Sequence, residues 1–309
     1  MFYARGKEIS YISEKCRGVS LKKQSLIILF ILAVAWGLSF LFIKKLTAAF
    51  SGIEIGAGRI FVAALFLTPW AIRNRADFPR NKALPIIISG LLGYLLPAMV
   101  FGTAGSRISS SLSGTLNAVT PIFVLLVGWI FFRKHIYRYQ FIGIFLGFIG
   151  SLLLISGGEG FSLDLSNPYA LLVLVATFMY GVNTNILSYH LTEVRPIVIS
   201  SFSVGLMGIP ALILLAFTDF FYKIFLPGNG IYILYFLILG VINSGLAAIL
   251  YNYLLKITTP IFASSVTYLI PVVAIVAGVL DGEKVGAMHL AGMAIILFSI
   301  FILNKKVSK

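Results

Sequence analysis

The chain has 309 residues, 59% of them hydrophobic and 11% charged, with a formal net charge of +14 and a mean hydropathy of +1.01. A water-soluble domain has no means of hiding that much apolar surface, whereas a bilayer solvates it. The basic excess does not point to nucleic acid, because Lys and Arg fall in short segments between apolar runs rather than along one element.

In chain order, residues 1–23 form a polar, basic tail that holds Cys16, the only cysteine. No disulfide framework and no Cys-based metal site is therefore expected. Lys22, Lys23 and the Ala33-Val34-Ala35 triplet imitate a cleaved signal, but hydrophobicity continues to Ile43, so an uncleaved first span is expected. About twenty apolar residues cross roughly 30 Å of hydrocarbon. On that measure the spans run over about 24–44, 53–72, 83–103, 109–132, 139–156, 168–188, 197–217, 232–255, 260–280 and 285–303. The fold class is thus an all-α membrane protein with ten transmembrane helices.

Polar groups in hydrocarbon must face protein or a water-filled cavity. The first span offers Trp36, Ser39 and Phe40. The second holds Arg59 about six residues from its outer end, roughly 9 Å deep at 1.5 Å per residue. Arg59 is either an anchor for an anionic substrate group or a structural residue bonded to carbonyls, an outer acid or the interface. The third span has Tyr94 with Pro97, and the fourth has Ser110, Ser113, Asn117 and Thr120 at spacings that share one helix face. In the fifth, Gly143, Gly147 and Gly150 form a small-residue stripe for close packing, expected inside the chain rather than at a dimer seam. The sixth offers Tyr180 and Asn183, the eighth Asn243 and Tyr251, and the ninth Thr267 and Tyr268.

Trp36, Tyr94, Asn117, Tyr180, Asn243 and Tyr268 all fall near mid-depth, as a central substrate cavity requires. For each a structural alternative stands. Ser and Thr can bond the preceding turn, Asn can join two helices, and a buried aromatic can simply pack. Pro121 and Pro271 are candidate hinges in the fourth and ninth spans, with static kinks as the alternative. No Asp or Glu lies mid-span, which disfavours proton coupling through a buried carboxylate. His135, His190 and His289 sit near span ends, so neither a metal cluster nor an acid–base pair is built. There is no Walker A pattern, and no cofactor is expected.

With the N-terminus inside, eighteen Lys and Arg residues fall in cytoplasmic segments and five outside, Arg59 lying within a span. That asymmetry places both termini in the cytoplasm of a multi-pass plasma (inner) membrane protein. A shift of 150 residues aligns Gly90 with Gly240, Pro121 with Pro271 and Gly128 with Gly278. Two halves of five spans each, 24–156 and 168–304, must then lie inverted in the membrane, with any site between them near the midplane.

In these features the chain resembles the drug/metabolite transporter superfamily, and within it the EamA-type proteins. The resemblance rests on Ala35-Trp36-Gly37-Leu38-Ser39-Phe40, Gly58-Arg59-Ile60-Phe61, Pro121, Pro271 followed by Gly282-Glu283-Lys284, and the glycine-rich fifth and tenth spans. It departs from the pattern after the fourth span, where Phe132-Arg133-Lys134-His135 stands in place of the usual Gly-Glu pair. The resemblance implies a secondary transporter, often an exporter of amino acids or related compounds, that works by alternating access and is not an enzyme. Small neutral or zwitterionic metabolites are the expected substrates, with Trp36, Ser39, Tyr94, Asn117, Tyr180, Asn183, Asn243 and Tyr268 as binding residues. The expected partners are a small-molecule substrate and the lipid bilayer, not nucleic acid, for a monomer rather than a dimer. The competing reading is a membrane-embedded enzyme acting on a lipid, which would need paired acids or a nucleophile–base set.

Overall fold

Apolar runs this long can satisfy their backbone polar groups in lipid only as helices or closed barrels, and here they form helices. The structure, a computed structural model, describes residues 2–108, 110–156, 167–280 and 286–304. Glu159, Asp164, Asp281 and the Gly282-Glu283-Lys284 triplet lie outside the described residues, as do the side chains of Cys16 and Ser110.

α1 (Phe2–Leu46) runs unbroken from the N-terminal segment into the first apolar stretch. α2 (Gly52–Arg73) opens on a capping box: Glu54 N–H donates to Ser51 Oγ at 3.3 Å and Ser51 N–H to Glu54 Oε2 at 2.6 Å. α3 (Ala83–Gly90) and α4 (Leu96–Gly105) form one rod joined by a π-helical turn at Leu91–Leu95. α5 (Ser110–Asn117) and α6 (Thr120–Ile130) follow, then α7 (Arg138–Ser156). α8 (Pro168–His190), α9 (Pro196–Ala216) and the short α10 (Phe220–Ile224) come next. α11 (Gly230–Leu237) and α12 (Ala247–Ile257) again form one rod around a π-helical segment, Ile238–Leu246. α13 (Pro260–Ser264), α14 (Val266–Leu280) and α15 (Ala287–Asn304) complete the described chain.

Among the described residues, seven helical stretches are long and apolar enough to cross a membrane: Leu21–Leu46, Gly52–Arg73, Arg80–Gly105, Pro168–His190, Pro196–Ala216, Gly230–Ile257 and Ala287–Asn304. Three shorter apolar helical stretches, Thr120–Ile130, Arg138–Leu154 and Pro260–Val273, accompany them. Large apolar side chains stay exposed on the outer faces, with Phe30 61%, Phe141 60% and Phe301 66% accessible. A rim this apolar belongs in lipid rather than water.

The expected fourth and ninth spans are each broken. In the fourth, the backbone turns at Ala118 and Val119, and Thr120 Oγ1 donates to the Asn117 carbonyl at 2.7 Å across the break. Pro121, with no N–H to offer, stands at the start of the new helix. In the ninth the break is at Ser265, whose hydroxyl donates to the Phe262 carbonyl at 2.7 Å. Pro271 lies inside α14, past that break. The two aligned prolines thus occupy different local settings.

α7 packs along α15, α2 along α9, α6 along α8, and α1 along α14. The Gly143, Gly147 and Gly150 stripe faces within the chain. A methyl on Gly150 would meet Ile296 Cγ1 at 2.9 Å and Gly292 O at 3.0 Å, and one on Gly292 would fall 2.6 Å from Leu154 N. Backbones this close exclude any Cβ. At the loops, Lys82 pairs with Glu193 at 3.4 Å and Arg195 with Asp77. Lys223 Nζ contacts both oxygens of the buried Glu54 at 3.0 Å.

Candidate functional site

The polar residues of several helices converge on one internal cavity of about 120 Å³. A single water needs roughly 10–15 Å³ on the same measure, so the space holds several waters or a small molecule in their place.

From α1, Trp36, Ser39 and Phe40 face inward, as their spacing of three and four dictates. Trp36 Nε1 donates to the Asn243 carbonyl at 3.0 Å, and Asn243 Nδ2 donates back to the Ala35 carbonyl at 2.8 Å. This reciprocal pair stitches α1 to the π-helical segment between α11 and α12. The Ser39 hydroxyl donates to the Trp36 carbonyl at 2.6 Å.

Arg59 projects from α2 into the same space. Its Nε donates to Ser244 Oγ at 3.0 Å, and that hydroxyl in turn donates to the Leu239 carbonyl at 2.9 Å. Nη2 lies 3.5 Å from the Asn243 carbonyl, at the limit of hydrogen bonding. Among the described residues no carboxylate pairs with Arg59. Tyr180 of α8 lies within electrostatic range of the guanidinium.

The first π-turn supplies Gly93 and Tyr94. Asn183 lies directly over Gly93: a Cβ there would fall 2.2 Å from Asn183 Nδ2. Asn183 is buried and its Oδ1 has no hydrogen-bond partner among the described residues. The Tyr94 hydroxyl is 3.5 Å from Asn252 Nδ2, which donates to Ser200 Oγ at 2.8 Å. Thr184 and Tyr251 share a hydroxyl–hydroxyl bond of 2.8 Å, and the Tyr251 ring tilts against Trp36 at 5.6 Å. Phe101 stacks on Tyr180 at 6.1 Å and meets Phe40 edge-on at 6.2 Å. Asn117 and Thr120, flanking one helix break, and Ser264 and Thr267, flanking the other, close the wall.

Trp36, Ser39, Arg59, Tyr94, Asn117, Tyr180, Asn183 and Asn243 are therefore brought together around one space. Tyr268 is not. Its ring is fully buried and its hydroxyl donates to the Ile144 carbonyl of α7 at 2.9 Å. Successive residues on a helix point about 100° apart, and its neighbour Thr267 takes the cavity-facing position. Pro121 and Pro271 do not line the space. Ser113 is buried with no partner for its hydroxyl, away from the cavity.

Gly93, Phe101, Thr184, Ser244 and Ser264 are lining residues that the sequence reading did not single out. Thr184 and Ser244 each follow an expected Asn, a signal that was available. Gly93 carries none, because its part is to leave room. The lining holds aromatic faces, neutral hydrogen-bonding groups and one cation, with no Asp, Glu, His or Cys. Among the described residues no group of three His, Cys, Asp or Glu side chains is placed to hold a metal ion. Such a surface offers hydrogen bonds, aromatic faces and one positive charge to a small molecule.

Residues 23–156 and 167–305 each match the model of the EamA-like transporter family. An uncharacterized transporter of Archaeoglobus fulgidus is 27% identical over 286 residues, covering 91% of this chain and 98% of that protein. The uncharacterized inner membrane transporter YedA of Escherichia coli K12 is 24% identical over 285 residues, covering 89% of each. A solved protein structure superposes with a TM-score of 0.69 at 16% identity, covering 91% of this chain and 96% of its own, which shows a shared fold.

Proposed function

We propose that this chain, which belongs to the EamA-like transporter family and is a membrane transporter, moves a small, neutral or zwitterionic, amino-acid-like metabolite across the inner membrane by alternating access. The observation that carries the reading is the convergence of Trp36, Tyr94, Asn117, Tyr180 and Asn243 from five separate helical rods on one cavity. A lining without acid, His or Cys lends the lipid-enzyme alternative no support.

In this reading ten helices cross the membrane as two inverted halves, with both termini cytoplasmic. Helix pairing supports it. Exchanging the halves converts the α1–α14 contact into the α8–α6 contact, and the contact of α2 with the Ile238–Leu246 segment into that of α9 with the Leu91–Leu95 turn. The α2–α9 and α7–α15 pairs map onto themselves. The π-turns at Leu91–Leu95 and Ile238–Leu246 fall in corresponding rods. The ion pairs agree with the topology too, since Lys82–Glu193 and Arg195–Asp77 join segments assigned inside and Lys223–Glu54 joins segments assigned outside.

The test is flux of labelled amino acids, nucleobases and cationic dyes in proteoliposomes. At least one compound is expected to move, and Trp36→Ala and Asn117→Ala to reduce its flux about tenfold or more while the protein still folds, as removing well-placed contacts does. Full activity in both variants would sink the cavity as the pathway.

A further inference from the structure

The cavity contains a cation that no carboxylate among the described residues pairs with. We infer that Arg59 anchors a carboxylate of the transported molecule, and that the site recognises this carboxylate while an amino group beside it is dispensable; the inference rests on the transport reading of the cavity.

Three observations carry it. First, the guanidinium is oriented but not used up. A guanidinium offers five N–H groups in a planar fork. Ser244 takes Nε at 3.0 Å, and among the described residues the only other hydrogen-bonding contact is the long one from Nη2 to the Asn243 carbonyl. Nη1 has no partner among the described residues, and no carboxylate lies against it. Ser244 is itself fixed by its bond to Leu239, so the fork is held in place before any ligand arrives. Ionisable groups at this depth pair with something, and a planar fork suits a carboxylate in a two-bond grip.

Second, the rest of the lining offers an ammonium group nothing charged. Among the described residues no Asp or Glu faces the cavity. The acceptors are neutral, such as Asn183 Oδ1, which is buried and unpartnered. An uncharged acceptor compensates poorly for stripping water from an ammonium ion. Third, Trp36, Phe40, Phe101 and Tyr180 line the same cavity as the cation, aromatic surface suited to an apolar body attached to the carboxylate. A purely structural Arg59, stapling α2 to the π-segment, would explain the Ser244 bond and leave ligand charge irrelevant.

The full-length protein in detergent would be titrated with a matched series: leucine, its deaminated analogue 4-methylpentanoate, its decarboxylated analogue 3-methylbutylamine, and leucinamide. Leucine and 4-methylpentanoate are expected to bind within about threefold of one another, with the amine and the amide about tenfold or more weaker, the scale of one well-made charge-assisted contact. Arg59→Gln should weaken both acids about tenfold or more and leave the amine unchanged, while Arg59→Lys keeps part of the acid preference. Should Arg59→Gln fail to fold, the wild-type series and Arg59→Lys still decide. Binding of the amine or amide as tight as the acids, undiminished acid binding in a folded Arg59→Gln, or no binding of either acid would overturn the inference. Vesicle flux separates the two levels. Carriage of the amine by the wild type would remove the carboxylate anchor and leave the transporter reading standing, whereas no movement of any compound in the wider panel would remove both.

Discussion

A methyl group on Gly93 would fall 2.2 Å from Asn183 Nδ2 and 2.7 Å from its Cγ, so the glycine is what lets Asn183 lie across the first π-turn. Gly93→Ala should lower stability by roughly 1–3 kcal/mol, the usual cost of overpacking, read as a fall in melting temperature in detergent. Asn183→Ala in the same chain should restore most of it, a coupling that a double-mutant cycle measures directly. An additive pair would contradict the contact. Polarity at mid-depth, where it is costly, marks Trp36, Asn117 and Asn243 in the sequence, and all three line the cavity. Tyr268 was misplaced because it and Thr267 are both polar at one depth, and only the helix phase decides which of them faces the cavity. Arg59 showed its depth in the sequence, but not that Ser244 of a distant helix would hold it.

At the scale of elements, the close contacts are between backbones and therefore unforgiving. Gly292→Ala would put a methyl 2.6 Å from Leu154 N and 2.8 Å from the Gly150 carbonyl; no side-chain rotation relieves this, so α7 and α15 must separate. Gly205, in the middle of α9, has nothing within 4 Å of such a methyl. Gly205→Ala should be neutral or stabilise by about 0.5–1 kcal/mol, since alanine costs less backbone entropy in a helix. Melting curves of the two variants are expected to shift in opposite directions or to differ clearly, with Gly292→Ala the lower. Equal shifts would argue against the α7–α15 contact. The glycine stripe was readable from spacing alone, and so were the ends of the long apolar helices. The breaks in the fourth and ninth spans were not. Hydropathy is continuous through Ala118-Val119 and Ser265, and Pro271 drew attention to a position past the actual break. The π-turns left no compositional mark either, although they re-register Tyr94 and Asn243 toward the cavity.

On the scale of the whole molecule, composition and charge asymmetry were enough to indicate a helical membrane protein, because bilayer physics allows few alternatives. Few identities relate the two proposed halves, yet exchanging one for the other maps helix pairs onto pairs that are in contact. Framework contacts can be met by many different side chains, so a repeated architecture can outlast sequence likeness. In the proposed reading the cargo is set by a handful of lining residues, which differ between the halves. The central claim is that the cavity opens alternately to both sides of the membrane. Cys16 is the only cysteine, so a Cys16→Ser background permits a single new thiol through Asn117→Cys, and a membrane-impermeant thiol reagent can then be applied to either face of oriented vesicles. The account predicts labelling from both faces, with a transported compound changing the two rates in opposite directions. Labelling from one face alone, unchanged by any transported compound, would contradict it.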